Sequence, residues 1–282
     1  MRILTALLLF FSLSVNAQIK IATLDWTVAE TLIALNNAPV AVGDKASYKI
    51  WVGKPALAEN TQDLGLRLQP NKESLARLSV DRFINSDFFA SIEPSLTAKA
   101  PVSTVNFYQP GDTWQNIENA TRQIGELIEK SEQAEQLITQ TNTQLAKIGQ
   151  TLTHFRDRPV AIVQFIDTRH LRFYGSHSLF GTILNKLGLT NAWNHSGGVW
   201  GSENLSITAL ATLPKNTRLV VVKPHPANVA NALKYNSLWR NLALAEDPLL
   251  LPAIWSFGAL PSAVNFAQNL QSALLNQRSE TW

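Results

Sequence analysis

"DTWQNIENATRQIGELIEKSEQAEQLITQTNTQLAKIGQTLT", Asp112 to Thr153, is the stretch on which the reading of the fold turns. Its apolar residues, among them Trp114, Ile117, Ile124, Leu127, Ile128, Leu137, Ile138, Leu145 and Ile148, recur in steps of three, four and their sums. That is the period of an amphipathic α-helix, and no proline interrupts it. Asp112 is suited to cap the beginning, and Ser131 to cap a second helix after a break near Lys130. The run is therefore one long helix or two in series. A second helix of roughly 22 residues would reach about 33 Å at 1.5 Å per residue.

On both sides of this run the pattern changes to short apolar strands alternating with helical segments. Upstream, "IKIATLD" (Ile19 to Asp25), "APVAVGD" (Ala38 to Asp44), "DRFINSD" and "APVSTVNF" read as strands, with "TVAETLIALN" a helix after the first. Downstream the series begins afresh with "RPVAIVQFID" (Arg158 to Asp167) and "RFYG". "SLFGTILNKLG" (Ser178 to Gly188) follows as a helix with Gly188 as its stop, then "TRLVVVKP", "LLLPAIW" and the terminal helix "PSAVNFAQNLQSALLNQ". Alternating strands and helices predict βα units and a mostly parallel sheet. The expected fold is α/β, with two βα lobes joined by a long helix and a ligand cleft between them. Residues 18–129 form the first lobe, 130–156 the connecting helix and 157–282 the second lobe.

Residues 1–17 carry the marks of a secretory signal peptide: Arg2, the apolar run Leu4 to Val15, and the small-residue site Val15-Asn16-Ala17. The apolar run is too short for the roughly 20 residues a membrane span needs, so a soluble exported chain is expected. Absence of cysteine excludes a disulfide framework and a lipid-bearing cysteine. An exported carrier without an anchor needs a second membrane to confine it, which points to a Gram-negative periplasm. Without Arg2 the chain holds 23 basic against 21 acidic residues, and no basic stripe suits nucleic acid.

Three tryptophans stand where an apolar core residue is not expected. Trp200 lies among glycines and serines in "SGGVWGSEN" (Ser196 to Asn204), while Trp51 in "YKIWVGKP" and Trp255 in "PAIWSFGALPS" each end an apolar run where a turn-rich segment begins. Indoles so placed suit the lining of a ligand cleft. Trp26, Trp114 and Trp239 fall on helix-like patterns and read as core. The chain has no G-x-S-x-G, P-loop or G-x-G-x-x-G motif and no H-x-x-x-H pair, so no catalytic residue, protein-held metal or cofactor is expected. His170, His177 and His195 offer only a weak metal alternative.

Five strings, "YKIWVGKP", "DLGLRLQPN", "IDTRHLRFYGSHSLF", "NAWNHSGGVWGS" and "IWSFGALPSAVNF", occur together in order. In this the chain resembles the periplasmic ferric-hydroxamate-binding proteins, substrate-binding components of iron-siderophore ABC importers, from about Ile19 to the C-terminal helix. The resemblance implies two α/β lobes on a long helix and a shallow aromatic cleft. It implies ligand contacts at Trp51, Arg67, Phe89, Trp200, Ser202, Trp255 and Phe257, with Phe88 and Trp193 more peripheral. Arg67 matches the arginine that donates to the hydroxamate oxygens around iron. Phe89 and Phe257 stand where the family pattern has tyrosines, keeping the ring face but losing the O–H. Glu93 and Glu203 are the candidates for docking on the inner-membrane permease.

A tryptophan offers about 150–250 Å² of apolar surface, worth at most about 4–6 kcal/mol when fully covered. Apolar contact is thus expected to dominate affinity for an iron(III)-siderophore, with Arg67 orienting the metal centre through charge-assisted hydrogen bonds worth about 1.5–3 kcal/mol. The expected protein is a monomeric carrier, not an enzyme, with iron present only inside its ligand. The alternatives are the same fold carrying a catecholate siderophore, cobalamin or haem, or a siderophore-processing hydrolase.

Overall fold

The computed structural model describes residues 18–276 and 279–282; the segment read as a signal peptide lies outside the described residues. Two five-stranded sheets organise the chain. The first contains β1 (Ile21–Thr23), β2 (Ala41–Val42), β3 (Gln62–Asp63), β6 (Arg82–Asn85) and β7 (Val102–Thr104), in the order β3-β2-β1-β6-β7 and parallel throughout. A small hairpin, β4 (Gly65–Leu66) with β5 (Gln69–Pro70), hangs off the edge strand. Helices α1 (Trp26–Ala34), α2 (Lys45–Trp51), α3 (Lys72–Arg77) and α4 (Glu93–Thr97) fill the connections.

The second sheet has the order β10-β9-β8-β11-β12 and contains β8 (Val160–Phe165), β9 (His170–Tyr174), β10 (Ser202–Ser206), β11 (Arg218–Val222) and β12 (Leu249–Leu251). Here the expectation of a mostly parallel sheet needs correcting: β8, β9 and β10 form an antiparallel meander, and only β8, β11 and β12 run parallel. The turn between β8 and β9 is too short for a crossover, which takes about a dozen residues, so the chain must fold straight back. Helices α7 (Leu179–Lys186), α8 (Val229–Tyr235), α9 (Ser237–Asn241) and α10 (Leu260–Asn276) complete this half. Ser178 caps α7 by accepting from Gly181 N–H, and Gly188, at φ 73°, ends it.

The Asp112–Thr153 run is two helices, α5 (Thr113–Leu127) and α6 (Ser131–Thr151), folded into an antiparallel hairpin rather than one long rod. Arg122 pairs with Glu135 at 2.6 Å, and the indole N–H of Trp114 donates to Asn142 at 3.1 Å, contacts that a straight helix would separate. Asp112 caps α5 as expected. Ser131 does not cap α6; Lys130 takes that position with no side-chain hydrogen bond. The reversal is made by Glu129, at φ 59°, and by the close approach of Gly125 to Ala134. Lys130 instead sends its ammonium to the carbonyls of Leu35 and Asn36 beyond α1. At its other end α6 packs Gly149 on Leu187, so about 31 Å of helix connects the two sheets.

Strand alternation divides the core. Along β8, Val160 and Ile162 face the helical layer while Ala161, Val163 and Phe165 face the opposite side; β11 and β12 repeat the pattern. The inner cluster runs without a break from Ile21, Val28 and Leu32 of the first half through α5 and α6 to Val220 and Leu249 of the second.

Candidate functional site: a cavity at the carboxyl ends of the strands

In the first sheet the chain winds one way from β1 to β2 and the other way from β6 to β7, leaving a switch point between β1 and β6. Open α/β sheets bind ligands outside the carboxyl ends of their strands at such a point. Asp25 and Thr27 follow β1, Ser86 to Phe88 follow β6, and Asn106 to Tyr108 follow β7; all of them line a cavity of about 250 Å³. Arg67, Trp200, Trp255 and Phe257 complete the wall. At the switch itself the Ser86 hydroxyl donates to Asp25 Oδ2 at 2.5 Å, while Asp25 Oδ1 accepts from Thr27 N–H and caps α1.

Arg67 occupies the turn of the β4–β5 hairpin and reaches inward. Its Nε donates to the carbonyl of Leu24 at 2.9 Å, and its guanidinium lies 4.2 Å from the ring centre of Trp26, 5.1 Å from Phe89 and 5.8 Å from Trp255. Gly43 lets it in: a Cβ there would crowd Leu24 and the Arg67 backbone. Burial pulls the Arg67 pKa below its ordinary value, and Asp25 and Asp44 oppose that pull. The result is a cation held on an aromatic bed, with a planar fork available to an acceptor-rich ligand.

The bare surroundings of Trp200 in sequence have a spatial answer. Its ring, 41% exposed, lies 5.5 Å from Tyr108, 5.4 Å from Phe257 and 6.3 Å from Phe88. The loop before β10 therefore lays its indole across the cleft onto rings that follow β6, β7 and β12. Tyr108 was not foreseen as a site residue. Its hydroxyl donates to Gly258 O at 2.6 Å, and burial, reinforced by Glu30 and Asp25, raises its pKa well above the ordinary value, so it stays a donor.

The segment Trp255 to Ser262 is bound to the first half although it follows β12. The Trp255 indole donates to Thr27 Oγ1 at 3.0 Å, and the Thr27 hydroxyl donates to Phe257 O at 2.7 Å. Ala259 N–H and the Ser262 hydroxyl donate to Glu30, both at 2.5 Å. Trp255 also packs edge-on to Trp26 at 5.0 Å. These bonds fix two cleft rings relative to α1.

Of the residues singled out from sequence, Arg67, Trp200, Trp255, Phe257 and Phe88 share the cavity wall. Phe88 and Phe89 exchange the roles expected of them: Phe88 is 52% exposed and faces the cavity, while Phe89 is 2% exposed and supports Arg67 from beneath. Consecutive residues of the short 3₁₀ turn Asp87–Phe89 cannot point the same way. Trp51 lies in a neighbouring groove with Ile50, Phe165, Ile166 and Pro224. Arg172 links the two, lining that groove while lying 5.3 Å from the ring of Phe257. Ser202 is off the cavity wall, because it opens β10 opposite Tyr174. Trp193 stacks on His195 at 4.2 Å and donates its indole N–H to Glu203 at 3.2 Å. Glu93 begins α4. Trp26, Trp114 and Trp239 are buried as expected. Among the described residues no three His, Asp or Glu side chains gather in a metal-holding group, and no helix is long and apolar enough to cross a membrane.

Residues 21–246 match the model of a family described as periplasmic binding protein. The chain belongs to that family. As a periplasmic binding protein it is similar to the iron(3+)-hydroxamate-binding protein FhuD of Escherichia coli K12, with 28% identity over 257 residues, 90% of this chain and 86% of that one. In fold it is similar to the Fe3+–Desferal-bound siderophore-binding protein FhuD of Vibrio cholerae, at a TM-score of 0.85 and 22% identity, covering 92% of this chain and 98% of the other. It is also similar to FhuD2 of Staphylococcus aureus, at 0.71 and 17% identity, covering 91% and 98%. The two-lobed α/β fold is thus that of the siderophore-binding members of the family, and these relatives are substrate-binding proteins.

Proposed function

We propose that this protein captures an iron(III)-hydroxamate siderophore in the periplasm and hands it, as a monomer and without chemical change, to an inner-membrane ABC permease. The observation that carries the reading is Arg67 lying on Trp26 in a cavity wall whose rings are those of Trp200, Trp255, Phe257, Tyr108, Phe107 and Phe88. A ferric trihydroxamate is a metal whose shell is already filled, with partly negative oxygens at the iron and apolar arms beyond. The guanidinium fork suits the oxygens, and the ring faces suit the arms. The protein supplies no ligand to iron. At about 250 Å³ the cavity lies below the roughly 300–1,000 Å³ usual for sites that enclose a whole ligand, so it takes the iron-bearing end and leaves the arms outside. Similarity to the hydroxamate-binding protein of E. coli supports the same ligand class.

A tris-catecholate complex bears a net negative charge and would meet a wall in which Arg67 is outnumbered by Asp25 and Asp87. For delivery, Glu93 and Glu203 are proposed as docking acids, although Glu203 also serves Trp193. A tryptophan-fluorescence titration against ferric hydroxamates, ferric catecholates, cobalamin and haem tests the assignment. Saturable quenching by hydroxamates is expected, and saturation only by another class overturns it. Arg67→Ala is expected to weaken hydroxamate binding about tenfold or more, the loss of one charge-assisted contact, with the fold intact by circular dichroism. Unchanged affinity removes Arg67 from the site.

A further inference from the structure

Three ionisable side chains of full formal charge line the cavity: Arg67, Asp25 and Asp87. Asp25 is committed. Its two oxygens accept from Thr27 N–H and from the Ser86 hydroxyl, and its charge favours the protonated state of Arg67. Asp87 is placed differently. Its backbone N–H donates to Asn106 Oδ1 at 2.9 Å, which fixes the start of the turn, but the residue is exposed. Among the described residues its carboxylate has neither an ion pair nor a hydrogen-bond donor. The next cation along the cleft, Arg172, lines the Trp51 groove and not this cavity. The cavity wall therefore carries one negative charge in excess, at its Ser86–Phe88 edge, beside the exposed ring of Phe88.

A ferric trihydroxamate core is neutral, because three singly charged hydroxamates balance iron(III), so any net charge of the chelate resides on its arms. We propose that Asp87 is a specificity-determining residue that favours hydroxamate chelates bearing a pendant cation, such as a protonated primary amine, over neutral or anionic ones. The inference rests on the hydroxamate reading above and narrows its substrate class. The ammonium lies against the Asp87 carboxylate while the arm that carries it crosses the face of Phe88. Because that edge is open to solvent, the preference is modest and salt-sensitive, about threefold to tenfold at low ionic strength.

The test uses one linear ferric trihydroxamate in three forms: with its terminal amine free, N-acetylated and N-succinylated, of net charge +1, 0 and −1. Binding of each is measured by tryptophan quenching in about 20 mM and about 500 mM salt, for the full chain and for Asp87→Asn. The expected order at low salt is amine, then acetyl, then succinyl. The spread narrows at high salt, and Asp87→Asn removes most of it. Equal affinity for the three forms, or an order unchanged in Asp87→Asn, overturns the proposal and leaves the hydroxamate reading standing. If none of the three binds, the hydroxamate reading itself falls. Asp87→Ser, which retains a short polar side chain at the start of the turn, gives the same result if charge is the cause.

Discussion

Glu30 shows what a single carboxyl contributes to this cleft. It sits on α1 with 0% exposure, and its oxygens accept from Ala259 and Ser262 at the first turn of α10. Burial raises its pKa from 4.5 to about 8, against the opposite pull of those hydrogen bonds. The folded protein thus retains a proton that the unfolded chain releases. The group's stabilisation is complete below about pH 4.5 and is lost as pH rises through about 8. Unfolding free energy is expected to fall across this window by up to about 1.4 kcal/mol per pH unit from Glu30. Glu30→Gln, which fixes the neutral form, flattens the slope. Urea unfolding at pH 5.5 and 8 measures it, and equal slopes in the two proteins refute the assignment. The same scale shows what a sequence can hide. Trp200 and Trp255 announce themselves by residue type and turn-rich setting, whereas Arg67 and Phe257 are marked only by the family resemblance. Neither the burial of Phe89 beside the exposed Phe88 nor the inward face of Tyr108 has a one-dimensional signature. Tyr108 did leave a clue, an aromatic just past a parallel strand, where ligand sites collect.

At the level of elements, the loop carrying Trp200 explains its glycines. Gly197, Gly198 and Gly201 all have φ between 66° and 68°, a region costly to residues with a Cβ. Their surroundings differ. A Cβ on Gly201 would overlap the backbone of His177 and Ser178, whereas one on Gly198 meets nothing within 4 Å. Gly198→Ala is therefore expected to cost about 1 kcal/mol, the backbone term alone, and to leave ligand quenching intact. Gly201→Ala must push the loop off α7, lowering the melting temperature further and moving Trp200 away from Tyr108 and Phe257. Similar melting temperatures for the two variants would mean the loop is not braced on α7. Elements were legible where one strong local signal decided them: the period of Asp112 to Thr153, the helix from Ser178 stopped by Gly188, the largely apolar β8. The α5–α6 reversal escaped because Glu129 adopts a left-handed conformation without a glycine to mark it. β3 escaped because two exposed residues carry no pattern.

For the molecule as a whole, the decisive feature is the unbroken apolar cluster from β1 and α1 through α5, α6 and α10 to β11 and β12. Hinged binding proteins close by flexing a few terminal residues between separately packed domains. Here closure would have to shear a shared core, and the Trp255–Ser262 segment already ties the second half to the first through Thr27 and Glu30 of α1 and Tyr108 after β7. Ligand capture is therefore expected to draw the Trp200 loop onto the chelate while the two sheets keep their relative placement. Small-angle scattering with and without saturating ferric hydroxamate is expected to change the radius of gyration by less than about 1 Å, as for loop movement without domain closure. Ligand at about 100 times Kd is nonetheless expected to raise unfolding free energy by about 2.7 kcal/mol and the melting temperature by about 5–10 °C. Stabilisation of that size with an unchanged radius is the signature of a preformed cleft. A contraction well beyond about 1 Å would mean that the shared core parts more easily than close packing allows, and that α6 bends rather than braces.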